Sequence, residues 1–234
     1  VDGHENARMG RTVCYTFLKQ PAEAIAEATQ LIAMQVANVH DAYYWRAYNR
    51  HVLRELVLAR GDIEDAKRLA STNPIHRLAG IIEYDQDELT VAERDFVAAK
   101  SMMGGGADCV ARWYLGLVEM KRERWLESAS HFEDAMGCYE RAAAFTEASL
   151  RAMEANTDVD PDFKTSQIAG FQAALKEDRS QQYASAFNGA NHSARGGNVA
   201  KAKTLLEVAA KDPALAVLVA ELRRILGGGG FLSE

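Results

Sequence analysis

The chain has 234 residues, 33 of them acidic and 27 basic, for a formal net charge of −6. That charge argues against broad nucleic-acid binding, which needs a basic face to drive counterion release, and no apolar run of about 18 residues is present to cross a membrane. Four prolines among abundant Ala, Leu, Glu, Arg and Lys are the composition of long helices rather than of sandwiches or barrels, so an all-α protein is expected.

Taken in chain order, a polar start leads to a short helix near Thr12 to Lys19. Pro21 suits the first turn of a helix running to Ala37, with Ile25, Ala28 and Ile32 as a faint apolar stripe. Asp41 to Arg60 reads as a long aromatic-rich helix, and after a turn at Gly61 a short helix stops before Asn73-Pro74. Helices follow at 75–85 and 88–102, Gly104-Gly105-Gly106 breaks the chain, and the next pair spans 108–122 and 125–136. Residues 138–156 and 161–176 form a further pair, joined by NTDVDPD, and 180–195 pairs with 198–211. Leu215, Leu218, Val219, Leu222 and Ile225 recur at helical spacing in a capping helix over 213–226, before a glycine-rich tail, 227–234, expected to be disordered. The expected organisation is one domain, 1–234, of about 12 helices in pairs at 41–71, 75–102, 108–136, 138–177 and 180–211.

A repeat underlies this order. From Gly116, offsets of 12, 16 and 19 reach Ser128, Phe132 and Ala135; from Gly80 they reach Ala92, Phe96 and Ala99; from Ala190, Ala202, Leu206 and Ala209. RGDIEDAKRLA, from Arg60 to Ala70, parallels GGNVAKAKTLL, from Gly196 to Leu206, which sets Ile63 beside Leu89, Trp125 and Val199, and Ala66 beside Ala92, Ser128 and Ala202. In that alignment the small residues lie 26, 36 and 74 apart, and the long interval leaves room for one degenerate copy. A small residue on a first helix lets a second helix approach closely, small residues 12 and 19 later face it, and the large one between them fills the space. Gly61, Asp87, Glu123 and Gly197 mark the expected turns, with Asp62 and Asn198 as N-caps.

Leu115-Gly116, Ser128, Phe132 and Ala135 resemble the tetratricopeptide repeat, a pattern of about 34 residues. Ser128 stands where Ala is usual, Glu119 where Tyr is common, and only the last copy keeps a closing proline, Pro213. The resemblance covers Pro21 to Leu226. It implies a right-handed α-solenoid of antiparallel helix pairs with a C-terminal capping helix, whose leading helices line a concave surface. Chaperone-binding members clamp a terminal carboxylate with Lys, Asn and Arg; Arg77, Trp113 and Leu117 fall among the corresponding places, and no such clamp can be assembled here.

The function expected is a non-catalytic scaffold that binds a protein or peptide segment along that surface. The alternative is a regulatory or substrate-recruiting repeat domain of a larger enzyme or sensor. Leu78, Ile81, Tyr84, Trp113, Leu117 and Met120 would supply an apolar groove, and Arg46 and Arg50 a contact for an acidic flank. No catalytic signature, metal spacing or cofactor motif is legible: the glycine clusters follow no strand, and in DVDPD Phe163 and Ala169 stand where a calcium loop needs Gly and Glu. Cys14, Cys109 and Cys138 lack a C-x-x-C spacing and read as buried free thiols. The start at Val1, with neither Met nor a signal-peptide pattern, reads as processed or trimmed, and neither compartment nor oligomeric state is legible.

Overall fold

In the computed structural model, residues 2–102 and 108–228 are described. They hold eleven α-helices and one short 3-10 turn, and no strand occurs among them. The chain divides into two compact units, Val1–Gly105 and Gly106–Glu234. The first contains α1 (Asp2–Phe17), α2 (Pro21–Ala33), α3 (Val39–Val52), α4 (Leu56–Leu69), α5 (Asn73–Asp85) and α6 (Leu89–Met102). The second contains α7 (Cys109–Lys121), α8 (Trp125–Ala155), α9 (Pro161–Arg195), α10 (Val199–Ala209), the 3-10 turn Pro213–Leu215 and α11 (Ala216–Gly227). The triple-glycine break and the end of the tail lie outside the described residues.

Five antiparallel pairs share one register. Offsets of 12, 16 and 19 run from Thr12 to Ala24, Ala28 and Leu31, and from Ala47 to Ala59, Ile63 and Ala66. They continue from Gly80, Gly116 and Ala190 through the residues already named, and all of these positions are buried. At Gly80 and Gly116 the absence of a side chain is required: a Cβ would lie 2.7 Å from the Phe96 ring and 3.0 Å from the Phe132 ring. Seven residues after each small residue the backbone turns left-handed, at Lys19, Arg54, Asp87, Glu123 and Gly197, with φ of 57°, 62°, 65°, 59° and 82°. The next amide closes each helix on the carbonyl five residues back, as in Gln20 to Tyr15 at 2.9 Å, Glu88 to Glu83 at 2.9 Å and Asn198 to Ser193 at 2.7 Å. Paired with the shorter bond from the left-handed residue itself, this is a Schellman closure.

The expected turn at Gly61 is corrected. Gly61 lies inside α4, with no atom within 4 Å of where its Cβ would be, and the chain reverses at Leu53-Arg54-Glu55 instead. Neither glycine nor an N-capping residue marks that turn; its geometry is fixed by burial of Ala59, Ile63 and Ala66 against Ala47. The first unit's alignment therefore shifts: Ile63 matches Phe96, Phe132 and Leu206, and Ala66 matches Ala99, Ala135 and Ala209. The expected break at 137–138 is also absent, since α8 and α9 are single helices of 31 and 35 residues packed against each other. Cys138, Tyr139 and Ala143 continue the buried stripe of α8 past Gly137, and no cap or proline interrupts it. In α11, Val219, Leu222 and Leu226 cover α10, while Leu218 stays exposed.

Cysteine pairing is a further correction. Cys109, in the first turn of α7, forms a disulfide with Cys138 of α8, and Cys14 is exposed. Antiparallel packing of α7 on α8 brings together cysteines 29 residues apart in sequence, with Cα atoms at 5.4 Å.

The core of the first unit also contains a carboxyl group. Glu83 of α5 is fully buried beside Asp95 of α6, and burial, followed by the Asp95 charge, pushes its carboxyl up to about 8. Burial also works against ionisation of Asp95, but hydrogen bonds from Lys67 and His76 hold it below the usual carboxylate range. Near neutral pH, Glu83 therefore keeps its proton beside the ionised Asp95.

Three outcomes follow from this packing. Gly80→Ala, which must displace Phe96, is expected to cost about 1–3 kcal/mol, whereas Gly61→Ala, inside a helix with open space, is expected to stabilise by up to about 1 kcal/mol; urea denaturation of the two variants checks the contrast. Cys109→Ser opens a 29-residue loop and should lower stability under oxidising conditions by about 3 kcal/mol, a loss that disappears when wild type and variant are compared in reductant. For Glu83, the folded state binds the extra proton between about pH 4.5, where the unfolded carboxyl titrates, and about 8. Its contribution is complete below that window and is lost as pH rises through it. The denaturation midpoint of wild type should therefore fall from pH 5 to pH 8 relative to Glu83→Gln, which does not titrate.

Candidate functional site

The shared register leaves a second set of positions unburied. On each first helix, residues three before, one after and four after the small anchor lie on one side of the helix. On α3 these are Tyr44, Tyr48 and His51; on α5, Arg77, Ile81 and Tyr84; on α7, Trp113, Leu117 and Met120. All are half-buried except Tyr48, which is exposed. Five of the eight residues singled out in the sequence fall in this set: Ile81 and Tyr84 in the first unit, Trp113, Leu117 and Met120 in the second. Tyr44, Tyr48 and His51 are not legible from a turn placed at Gly61; the offset of 12 from Ala47 to Ala59 locates them.

Leu78 does not join this face. It is 4% exposed and packs in the core with Ile75, Ala79 and Ile82. Arg46 and Arg50 point to α4: Arg46 makes two bonds to Asp62, at 2.9 and 2.7 Å, and reaches Thr29 at 3.2 Å, while Arg50 meets Asp62 at 2.7 Å. Asp62, expected as an N-cap, is instead a buried carboxylate within α4 that ties α3 to α4 through both guanidinium groups. Along the same edge, His51 and Arg54 converge on Asp85 of α5 at 2.8 and 2.6 Å, and Tyr44 hydrogen-bonds Arg77, with burial raising the Tyr44 phenol above its usual range. Polar contacts thus lock neighbouring first helices while leaving aromatic surface between them.

In the second unit, Trp113 meets Phe132 edge to face at 5.0 Å and packs on the cluster around Cys109 and Cys138. Its indole is therefore partly an inter-helix contact and partly surface. Glu119, in the place where the repeat commonly has Tyr, is buried and held by Arg122 at 2.7 Å. The buried Ser128 donates to the Gly116 carbonyl at 2.6 Å and lies 2.8 Å from His192 Nδ1. Burial, with a smaller effect from Arg195, lowers His192 to about 4, so its ring is neutral and stacks edge to face on Trp125 and Phe132. Because the Ser128 proton goes to the carbonyl, His192 acts toward it as a donor; the pair joins α8 to α9 rather than activating a hydroxyl.

A third polar group lies between α4 and α6. Ser71 Oγ is 2.9 Å from His76 Nε2, and His76 Nδ1 is 2.7 Å from Asp95. Asp95 also accepts from Lys67 at 2.8 Å. At the start of α9, Asp160 of the DVDPD stretch caps the helix, accepting from the amides of Asp162 and Phe163 at 3.1 and 3.0 Å. Among the described residues no group of three or more His, Cys, Asp or Glu is placed to hold a metal ion, and no helix is long and apolar enough to cross a membrane.

No protein-family model matches the sequence, and no curated protein matches it. Solved structures do. YrrB, described as a TPR protein with an unusual peptide-binding site, aligns with a TM-score of 0.60 at 14% identity, over 93% of this chain and 90% of its own. PilF of Pseudomonas aeruginosa aligns with a TM-score of 0.56 at 12% identity, over 95% of this chain and 98% of its own. A chain of the APC/C hetero-tetramer Cut9-Hcn1 aligns with a TM-score of 0.53 at 13% identity, over 94% of this chain and 42% of that one. Five helix pairs in one packing register, together with these likenesses, make this chain an all-α helical-repeat protein of the tetratricopeptide-repeat fold.

Proposed function

We propose that the chain is a protein-interaction scaffold that receives an extended or helical segment of a partner on the exposed side of its first helices. The observation that carries this reading is the recurrence of half-buried aromatic and aliphatic side chains at fixed places: Ile81 and Tyr84 on α5, and Trp113, Leu117 and Met120 on α7. Side chains of this kind supply large contact area at low ordering cost when the backbone beneath them is already rigid. YrrB, of the same fold, is described as having a peptide-binding site, which supports a peptide or protein segment as the ligand class. Binding of this type requires no chemistry and no cofactor from the chain. Arg46 and Arg50 contribute by holding α3 on α4 through Asp62, and less by offering charge to an acidic flank.

Peptides selected from a random library on the wild-type protein test this reading. Truncating an anchor should weaken such peptides by on the order of 2 kcal/mol, roughly thirtyfold. Peptides using the first unit should be lost with Tyr84→Ala, and those using the second with Met120→Ala or Trp113→Ala. Arg46→Ala should lower thermal stability while changing the affinity of the folded protein little. Undiminished affinity in all three face variants, with folding intact, would remove the first-helix face as the site.

A further inference from the structure

Ser71, His76 and Asp95 carry an inference that goes beyond the interaction reading and does not rest on it. We propose that Ser71 is an activated nucleophile that accepts the acyl group of a small activated carboxylic ester and passes it to water, with His76 as base and Asp95 as positioning residue.

The polarity of the hydrogen bonds is what distinguishes this site. Asp95 is 1% exposed, and its Oδ2 accepts from Lys67 Nζ at 2.8 Å and from Arg94 at 3.4 Å. The carboxylate is thus ionised and can only accept, so the His76 Nδ1 that lies 2.7 Å from Asp95 Oδ1 must be the nitrogen that carries a hydrogen. When the ring is neutral, that leaves Nε2 as an acceptor, 2.9 Å from Ser71 Oγ, and the serine proton points at a base. Ser71 is exposed, in the segment between α4 and α5, where an acyl donor can reach it. The Ser128 and His192 pair has neither property: it is buried, and its hydroxyl proton is already given to the Gly116 carbonyl. A hydroxyl hydrogen-bonded to a base that a third group orients is the arrangement acyl transfer requires.

The steps balance without a co-reactant other than water. Ser71 Oγ attacks the ester carbonyl carbon as His76 Nε2 takes the hydroxyl proton; the bond to the leaving oxygen breaks, and that oxygen takes the proton from Nε2. Water then attacks the acyl-serine, giving one proton to Nε2, and as the Ser71 ester bond breaks this proton returns to Oγ. The products are the carboxylic acid and the alcohol. α5 begins two residues after Ser71, at Asn73, and the positive end of its dipole favours the negative charge that develops on the carbonyl oxygen.

The test uses the full chain with p-nitrophenyl acetate as substrate and a fluorophosphonate as label. The label is expected at Ser71 by peptide mapping, and Ser71→Ala, an exposed substitution, should abolish both labelling and ester hydrolysis with an unchanged circular dichroism spectrum and melting temperature. His76→Gln should slow labelling by about 100-fold or more, the usual contribution of a positioned base. Asp95→Asn should lower kcat with KM unchanged, per folded molecule, because Asp95 meets no substrate. Absence of label at Ser71, equal labelling of wild type and folded His76→Gln, or hydrolysis that persists in Ser71→Ala would overturn the proposal and leave the three residues as a helix-joining network.

Discussion

In two of the helix pairs a phenylalanine ring lies against bare glycine backbone. Phe96 occupies the space a side chain at Gly80 would need, and Phe132 does the same at Gly116. The left-handed turn seven residues after each small anchor fixes how the second helix is phased against the first. One residue more or less in that turn would rotate the second helix by about 100°, moving its large side chain off the anchor. Four of the five turn residues are not glycine, so the chain bears the strain of a positive φ in order to keep the phase.

Several polar groups in the core join helices. Asp62 draws two arginines from α3, Asp95 gathers Lys67 and His76 from different helices, and Ser128 connects the Gly116 carbonyl to His192. Such groups add little net stability over apolar packing, but leaving one partner unsatisfied is costly, so they specify which helices pair. Glu83 is the counterpart that stays neutral, because a second carboxylate beside Asp95 in a buried site cannot also ionise.

The same packing sets which side of each first helix stays half-buried. The anchor and the positions 12, 16 and 19 after it are consumed by the pair, and one side of the first helix stays only half-buried. That side is mostly aromatic and aliphatic on α3, α5 and α7, and on α3 and α5 it is held in place by contacts such as Tyr44 to Arg77 and His51 to Asp85. A rigid apolar surface of this kind can bind a segment without reorganising. Ser71 lies elsewhere, before α5, in a segment belonging to neither helix of a pair.

The sequence by itself determined the helical class, three of the five pairs and the reason for their offsets, because small and large residues at fixed intervals are a one-dimensional record of helix-on-helix packing. It also marked Ile81, Tyr84, Trp113, Leu117 and Met120, since their places follow from the same register. It misplaced the turn after α3 because Gly61 has turn propensity and Leu53-Arg54-Glu55 does not, and only burial of Ala59 and Ile63 against Ala47 and their neighbours overrides that preference. It divided α8 and α9 because an expected repeat length suggested a break that no cap or proline enforces. What only the tertiary structure decided are the meetings between distant residues: Cys109 with Cys138, Arg46 and Arg50 with Asp62, and Ser71 with His76 and, through it, Asp95. Charge and thiol chemistry depend on which groups come within a few ångströms, and that distance is set by the packing of helices rather than by spacing along the chain.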